Sequence, residues 1–422
     1  MTEKQIQVEA VEFVKELYPR LKEDDAAIER YRAAIEKLPP IVVARGRVLV
    51  DGFHRWQAYR REGLAEIAVV DLGNLTDIEI RRESITRNAA HGQQLSAQDK
   101  KRLAGILWRD LAESSNGKRT TEIAEWLSVT RRTVEEWTED IRREEKEQQK
   151  ADAWNLWLDC HSEREIGEVL GIGQATAHRW IDSKAKDFAN ESPPGATVEN
   201  PWGRIQHFDV WEFPNSGANT TFFGILSPEI MENLLWFFTE PGQIVFDPFV
   251  GSGTTIEVAK QMGRRVWASD RKPATPMLPI HKHDITTGWP KEAPSKAHLI
   301  FLDPPYWKQA AGQYSDDPAD LANMTLEGFL EAWSAVVNHC IKHVDADGYV
   351  AFIVSPAEDK KADRVVDLAL LMHDVCQSAG LKDKCRIIAP WGTQQATGQQ
   401  VDWARKNRRL LKKYRDLLVM SK

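Results

Sequence analysis

The sequence predicts an α/β protein: a parallel sheet with helices at the carboxyl terminus, preceded by an all-α region and, first in the chain, an α+β domain. Three observations carry this. From about residue 197 onward, short apolar strands alternate with amphipathic helices, the pattern of a parallel sheet. Residues 111–189 are helical in pattern, charged, and contain an internal repeat. Residues 1–110 mix a helical start with the β-rich runs IVVARGRVLVDG and IAVVDLG, then turn helical from Ser96. The stretch NESPPGA, 190–196, is made of turn formers and reads as a linker.

Length and composition bound the rest. A chain of 422 residues has room for two to four domains, each able to bury a core. No apolar run of about eighteen residues occurs, so no membrane is expected as a partner, and the polar start MTEKQIQVEA does not read as a signal peptide. Cys160, Cys340, Cys376 and Cys385 stand far apart, which excludes a disulfide framework and a cysteine-rich zinc site and suits a reducing, cytoplasmic setting. The net charge of −7 does not announce a nucleic-acid binder, yet Arg131–Arg132 and the stretch Arg405 to Arg415 are locally basic. The sixteen tryptophans read mainly as core and helix-packing anchors.

In the helical region, EIAEWLSVTRRTVEEW starts at Glu122 and EIGEVLGIGQATAHRW at Glu165, an offset of 43 residues. Each copy has apolar positions at helical spacing, a break at Ser128 or Gly171, and a second helix opened by Thr130 or Gly173, residues suited to an N-cap. That is the helix-turn-helix plan. The second helices offer Arg131, Arg132 and Thr133 in one copy and Gln174, Thr176 and Arg179 in the other, side chains able to meet phosphates and base edges.

The carboxyl-terminal region carries the chemistry. QIVFDPFVGSGTT, 243–255, is a strand, an acid and a glycine-broken turn that opens a helix. Gly251, Ser252 and Gly253 let a ligand approach the backbone at the carboxyl end of a strand. No lysine follows the glycines, and Asp247 opposes a pyrophosphate, so a cationic, nucleoside-bearing ligand suits the turn better than a nucleotide. The strand 264–270 ends in Asp270, placed to meet ribose hydroxyls. His281, His283 and Asp284 alternate in direction along one strand, which disfavours a metal, and none is expected. A further strand, 297–302, runs directly into Asp303, Pro304, Pro305 and Tyr306.

With these motifs the chain resembles the amino-group DNA methyltransferases that use S-adenosylmethionine, whose DPPY is matched by Asp303 to Tyr306 and whose DPFxGSGTT turn is matched from Asp247 to Thr255. The resemblance covers 197–422 and implies a Rossmann-like methyltransferase sheet. It implies S-adenosylmethionine bound by Asp247, Pro248, Phe249, Gly251, Ser252, Gly253, Thr254 and Asp270, with Asp284 toward the adenine and Ser227 in the segment over the methionine part. Catalysis would fall to Asp303, Pro304, Pro305 and Tyr306: a carboxylate and a proline carbonyl accept the amino hydrogens of a base, and the tyrosine stacks on a base taken out of the duplex. The segment between turn and DPPY is short, and no dedicated target-recognition domain is evident. An initial Asp favours adenine N6 over cytosine N4, and protein glutamine methylators generally start the motif with Asn.

VLVDGFHRWQAYRREG, 48–63, resembles the ParB/sulfiredoxin-like fold, whose turn at a helix start holds phosphates, with Gly52, His54 and Arg55 matching. In the second ParB-like segment, 83–92, the usual adjacent Glu-Asn is split between Glu83 and Asn88. A bound nucleotide, DNA phosphate contact and retention of the fold alone all stay open for this domain. The expectation is thus an adenine-N6 DNA methyltransferase with a ParB-like domain (1–110), a helix-turn-helix region (111–189), a linker (190–196) and a catalytic domain (197–422), acting on double-stranded DNA. A homodimer stays open. The alternatives are a cytosine-N4 enzyme and a ParB-like regulator with a degenerate transferase domain.

Overall fold

The computed structural model describes residues 3–20, 24–90, 95–112, 116–188, 190–213, 226–273, 278–308, 317, 319–359, 362–390 and 396–422. His91 and Gly92, at the end of the second ParB-like segment, lie outside them. The chain forms two compact units, Met1–Gln148 and Gln149–Lys422.

The first unit is built on β1 (Glu3–Gln7), α1 (Asp25–Arg32), β2 (Ile41–Ala44), β3 (Val48–Asp51), α2 (Phe53–Glu62) and β4 (Glu66–Asp71). The sheet order is β1-β4-β2-β3, with only the β2–β4 pair parallel. Strand alternation sends Ile41, Val43, Leu49, Ile67 and Val69 to a core with Phe53 and Trp56, and Val42, Ala44, Val48 and Val50 to another with Ile80. Helices α3 (Asp77–Ala90), α4 (Ala97–Asp110), α5 (Asn116–Leu127) and α6 (Arg131–Trp137) follow. Ser96 and Asp99 close a capping box on α4. Fully buried Trp108 centres the helical cluster, its Nε1 donating to Glu145 at 3.0 Å and its ring under Arg119 at 5.0 Å.

Helix α7 (Glu139–Leu158) contains the boundary between the units, so the two copies of the repeat fall in different units: α5–α6 in the first, α8 (Glu163–Leu170) and α9 (Gln174–Ala185) in the second. The break between helices uses a left-handed residue in each copy, Ser128 at φ 50° and Gly171 at φ 64°. Thr130 caps α6 by accepting from the Thr133 N–H at 3.1 Å.

The second unit continues with α10 (Pro228–Phe238), β5 (Ile244–Asp247), α11 (Thr254–Gln261), β6 (Arg265–Asp270), β7 (Ile280–Lys282), β8 (Ala297–Leu302), α12 (Leu326–His343) and β9 (Val344–Val354). A small hairpin, β10 (Ala357–Asp359) and β11 (Arg364–Val366), precedes α13 (Leu368–Ser378), β12 (Lys382–Pro390), α14 (Gly398–Lys406) and β13 (Tyr414–Ser421). The large sheet has the order β12-β13-β9-β8-β5-β6-β7. The pairs from β9 through β7 are parallel, and β13 runs against both neighbours. Alternation along the strands makes two cores: Val245, Leu299, Phe301, Ala351 and Val419 pack with α10 and α11, while Phe246, Ile300, Leu302, Phe352 and Leu418 pack with α12 and α13. Among the described residues no helix is long and apolar enough to cross a membrane.

Candidate active site

In a doubly wound sheet, ligands bind outside the carboxyl ends of the strands where the winding reverses, here between β5 and β8. The DPFVGSGTT turn leaves β5 at that point. Asp247 is buried under it: one carboxylate oxygen accepts from the Phe249 N–H at 2.9 Å, the other from the Thr255 hydroxyl at 2.6 Å. Burial pushes its carboxyl up to about 7, against those two hydrogen bonds and with the negative charges of Asp303 and Asp270 adding to the rise. Asp247 therefore braces the turn from below. Gly251 and Gly253 take φ of 52° and 99°; a Cβ on Gly251 would meet only the Phe249 carbonyl at 3.9 Å, so the backbone is open there, whereas one on Gly253 would collide with the Leu278 side chain. Pro248 is buried, Phe249 is half-buried in the α12 core, and Ser252 and Thr254 are half-buried along the turn.

Asp270, at the end of β6, clamps the same turn. Its carboxylate accepts from the Gly251 N–H at 3.1 Å and the Lys272 N–H at 2.8 Å. Asp284 caps a short helical turn by accepting from Thr286 N–H and Oγ1 at 3.0 and 2.6 Å. Arg271 ties Asp284 (3.5 Å) to Asp317 across this side of the site. His281 stacks on Trp267 at 4.3 Å, whereas His283 pairs with the Gly288 carbonyl at 2.8 Å. Among the described residues no group of three or more His, Cys, Asp or Glu side chains could hold a metal. Ser227 is the N-cap residue of α10 and hydrogen-bonds Glu229.

Asp303 follows β8 at the same edge. Burial pushes its carboxyl up to about 6, opposed by Arg415 and by the Tyr306 hydroxyl, which donates to it at 3.0 Å. Pro304 is buried and Pro305 half-buried. The loop is pinned by buried Trp307, whose Nε1 donates to the Met324 carbonyl at 2.9 Å. Sequence reasoning missed Arg415, grouping it with the locally basic stretch from Arg405. The structure corrects that reading: Arg405, Lys406, Arg408 and Lys413 are exposed, but Arg415 is buried in β13 and acts on Asp303 and Tyr306. Cys340 and Cys376 are buried and Cys160 and Cys385 half-buried, burial pushing Cys160 and Cys376 each up to about 12.

The remaining sequence-predicted residues lie elsewhere. Arg131 and Arg132 are exposed at the start of α6, with Arg132 paired to Glu136 at 3.1 Å, and Thr133 is half-buried. Gln174 and Arg179 are exposed on α9, with Thr176 half-buried between them. This second helix pair is fastened to the amino ends of β5 and β6. Arg265 Nε donates to the Trp157 carbonyl at 3.1 Å and sits over its ring, and Lys260 pairs with Asp159 at 2.6 Å. Gly242 and Gly263 lie against Trp157 and Phe188. The catalytic edge is at the other end of those strands, about 20 Å away for the six-residue β6. In the first unit, Gly52 (φ 98°) opens α2, and His54 Nε2 accepts from the Asp24 N–H at 3.1 Å. Arg55 donates to the Pro39 and Pro40 carbonyls and pairs with Asp51 at 2.8 Å, so an incoming phosphate would compete with Asp51. Glu83 pairs with Arg87 and Asn88 accepts from Arg20.

Residues 76–274, a little under half of the chain, match the DNA methylase family model. That stretch contains the glycine turn and Asp270 and ends before Asp303. Among curated proteins, the type II methyltransferase M.BamHI of Bacillus amyloliquefaciens is 31% identical over 74 residues, 18% of this chain and 16% of that protein. M.BglII of Bacillus subtilis is 41% identical over 66 residues, 15% of this chain and 18% of its own length. The chain thus spans under a fifth of the length of these relatives. A solved structure of the partitioning protein ParB from Caulobacter crescentus, complexed with CTP-γ-S, aligns with 32% of this chain and 77% of its own at 19% identity and a TM-score of 0.20.

Proposed function

We propose that this protein is an S-adenosylmethionine-dependent DNA methyltransferase that modifies an exocyclic amino group, adenine N6 ahead of cytosine N4. The observation that carries the reading is the gathering of Asp247, Asp270 and Asp303 at the carboxyl ends of three adjacent strands, the latter two close enough to add to the rise of the Asp247 carboxyl, around a glycine turn whose backbone is open at Gly251. Asp270 and Asp303 repel a phosphate and favour a cation, and Asp247 adds its charge only as it loses its proton near 7. When bound, S-adenosylmethionine supplies a cationic sulfonium and its electrophilic methyl group. The Gly251–Gly253 turn and Asp270 would hold it; Asp270 would exchange its Gly251 N–H for ribose hydroxyls.

Asp303 and the Pro304 carbonyl accept the two hydrogens of the base amino group and draw its nitrogen lone pair out of the ring. Pro304 brings no N–H to compete for those acceptors. Tyr306, its hydroxyl held by Asp303, keeps its ring beside the path of an extruded base. Transfer then depends on positioning. Double-stranded DNA is the proposed substrate, delivered through Arg131, Arg132 and Thr133 of α6. Gln174, Thr176 and Arg179 of α9 would meet DNA away from the reacting base, given their place at the opposite end of the sheet.

The test is mass spectrometry of nucleosides from duplex DNA incubated with the full-length protein and methyl-labelled cofactor. Labelled N6-methyladenine is the expected product, and N4-methylcytosine would move the target base. Label appearing only in RNA or protein, or nowhere, would overturn the reading. In parallel, reversing charge at Arg131 and Arg132 should flatten the salt dependence of DNA binding by up to about two units of log-log slope, near 0.9 per lost phosphate contact.

A further inference from the structure

β13 is the strand that runs against its neighbours, so its first residues lie beside the carboxyl end of β9, one strand from that of β8, at the catalytic edge. Register fixes the level: Asp416 pairs with Val354 and Leu302 with Phe352, which sets Arg415 one step past the end of β9 and Asp303 one step past the end of β8. Arg415 is buried at 7% exposure, its Nε has no hydrogen-bond partner, and among the described residues it enters no ion pair closer than 4 Å. The neighbouring Asp416 is no partner for it, being paired with Arg386 at 2.9 Å. A buried guanidinium without compensation is strongly unfavourable. The groups on which its charge acts are Asp303 and Tyr306.

We propose that Arg415 is a positioning residue: it keeps the Asp303 carboxylate ionised and fixes the Tyr306 hydroxyl that orients it, so that the carboxylate faces the base amino group as an acceptor. This rests on the methyltransferase reading for its purpose, though the electrostatic link between the two residues does not. The groups acting on Asp303 are Arg415 from β13 and Tyr306 from its own loop, and Asp303 in turn acts on Asp247 at the end of β5. Of these only Arg415 is a cation. An opposite charge within about 4–6 Å lowers a carboxyl by about 1–3 pH units by favouring its ionised form, so removing the Arg415 charge should raise Asp303, by about one unit if the groups lie in that range.

The test has two arms on the full-length protein. In the first, the titration of Asp303 is followed by carbon NMR of aspartate labelled at Cγ, its resonance assigned by disappearance in D303N. R415Q and R415M should move the midpoint up by about one unit or more, and R415K should keep it within half a unit. In the second, the acid limb of the pH–rate profile for methyl transfer should move up in the same neutral variants and return in R415K, with cofactor affinity unchanged. R415Q keeps donors without the charge, so it reports even if R415M fails to fold. An unmoved Asp303 midpoint in both neutral variants overturns the proposal. A moved midpoint in a protein that methylates no DNA upholds the Arg415–Asp303 link and overturns the methyltransferase reading instead.

Discussion

Replacing Glu191 with alanine should destabilise the second unit by about 3–5 kcal/mol, although the residue lies in a stretch composed like a linker. Its carboxylate pairs with Arg264, which is fully buried. All five N–H groups of that guanidinium are used: Nε donates to Thr239 Oγ1 at 2.9 Å, Nη1 to Glu191 and to the Met262 carbonyl at 2.8 Å, and Nη2 to the Thr239 and Leu235 carbonyls at 2.7 and 3.3 Å. Leu235 and Thr239 close the end of α10, so Arg264 also satisfies its last carbonyls. Removing Glu191 leaves a buried charge with neutral partners only. Those four remaining bonds pull the expected cost toward the lower end, about 3 kcal/mol. At about 2–4 °C per kcal/mol for a domain of this size, the Tm falls by roughly 6–12 °C. Near-ultraviolet circular dichroism on heating the full-length protein would read it, with Glu191→Gln losing less because it retains a hydrogen bond. A loss under about 1 kcal/mol for Glu191→Ala would refute the claim that this pair holds the segment to the sheet.

Asp303→Ala should abolish methyl transfer while cofactor affinity, read by calorimetry, stays within about tenfold, since the residue serves the base. Asp270→Ala should weaken S-adenosylmethionine binding by about 1–3 kcal/mol, the range for lost charged hydrogen bonds, and an unchanged Kd would remove Asp270 from the cofactor site. The pH dependence of stability follows from Asp247, at about 7 in the fold against 3.8 unperturbed. Between these values the folded state keeps a proton that the unfolded chain has lost, so stability falls as pH rises and the loss is complete above about 7. At about 1.36 kcal/mol per unit the loss is on the order of 4 kcal/mol. Asp247→Asn should flatten the decline of Tm over roughly that window, and an unaltered slope would show that Asp247 does not titrate there.

Local pattern carried much of the fold. The strand read at 297–302 is β8 to the residue, the strand read at 264–270 begins one residue later, and Thr130 caps α6 as its residue type suggests. These features depend on alternation and on side chains a few positions apart, which sequence displays. Arg415 was illegible because its place depends on the reversed direction of β13, a property of strand order. Glu191 was masked by the prolines and glycine that follow it. The position of α9 depends on Trp157, Asp159 and Phe188 docking at the amino ends of β5 and β6. A fragment begun at Thr197 would therefore discard Glu191 and Trp157 along with α8 and α9, and one begun near Gln149 keeps the unit whole.

The interleaved position of β13 also governs how the second unit comes into being during synthesis. β9 emerges next to β8 with its outer edge open, and the strand that covers that edge begins about sixty residues later. At a translation rate of roughly 5–20 residues per second, the gap lasts several seconds, long beside the microsecond-to-millisecond steps of local folding. In the first unit β1 waits about as long for its partner β4, but all four strands of that unit are made before the second unit begins. The nascent chain thus presents a finished amino-terminal unit joined to a sheet with an open edge of apolar backbone, a species for which chaperone capture and self-pairing compete.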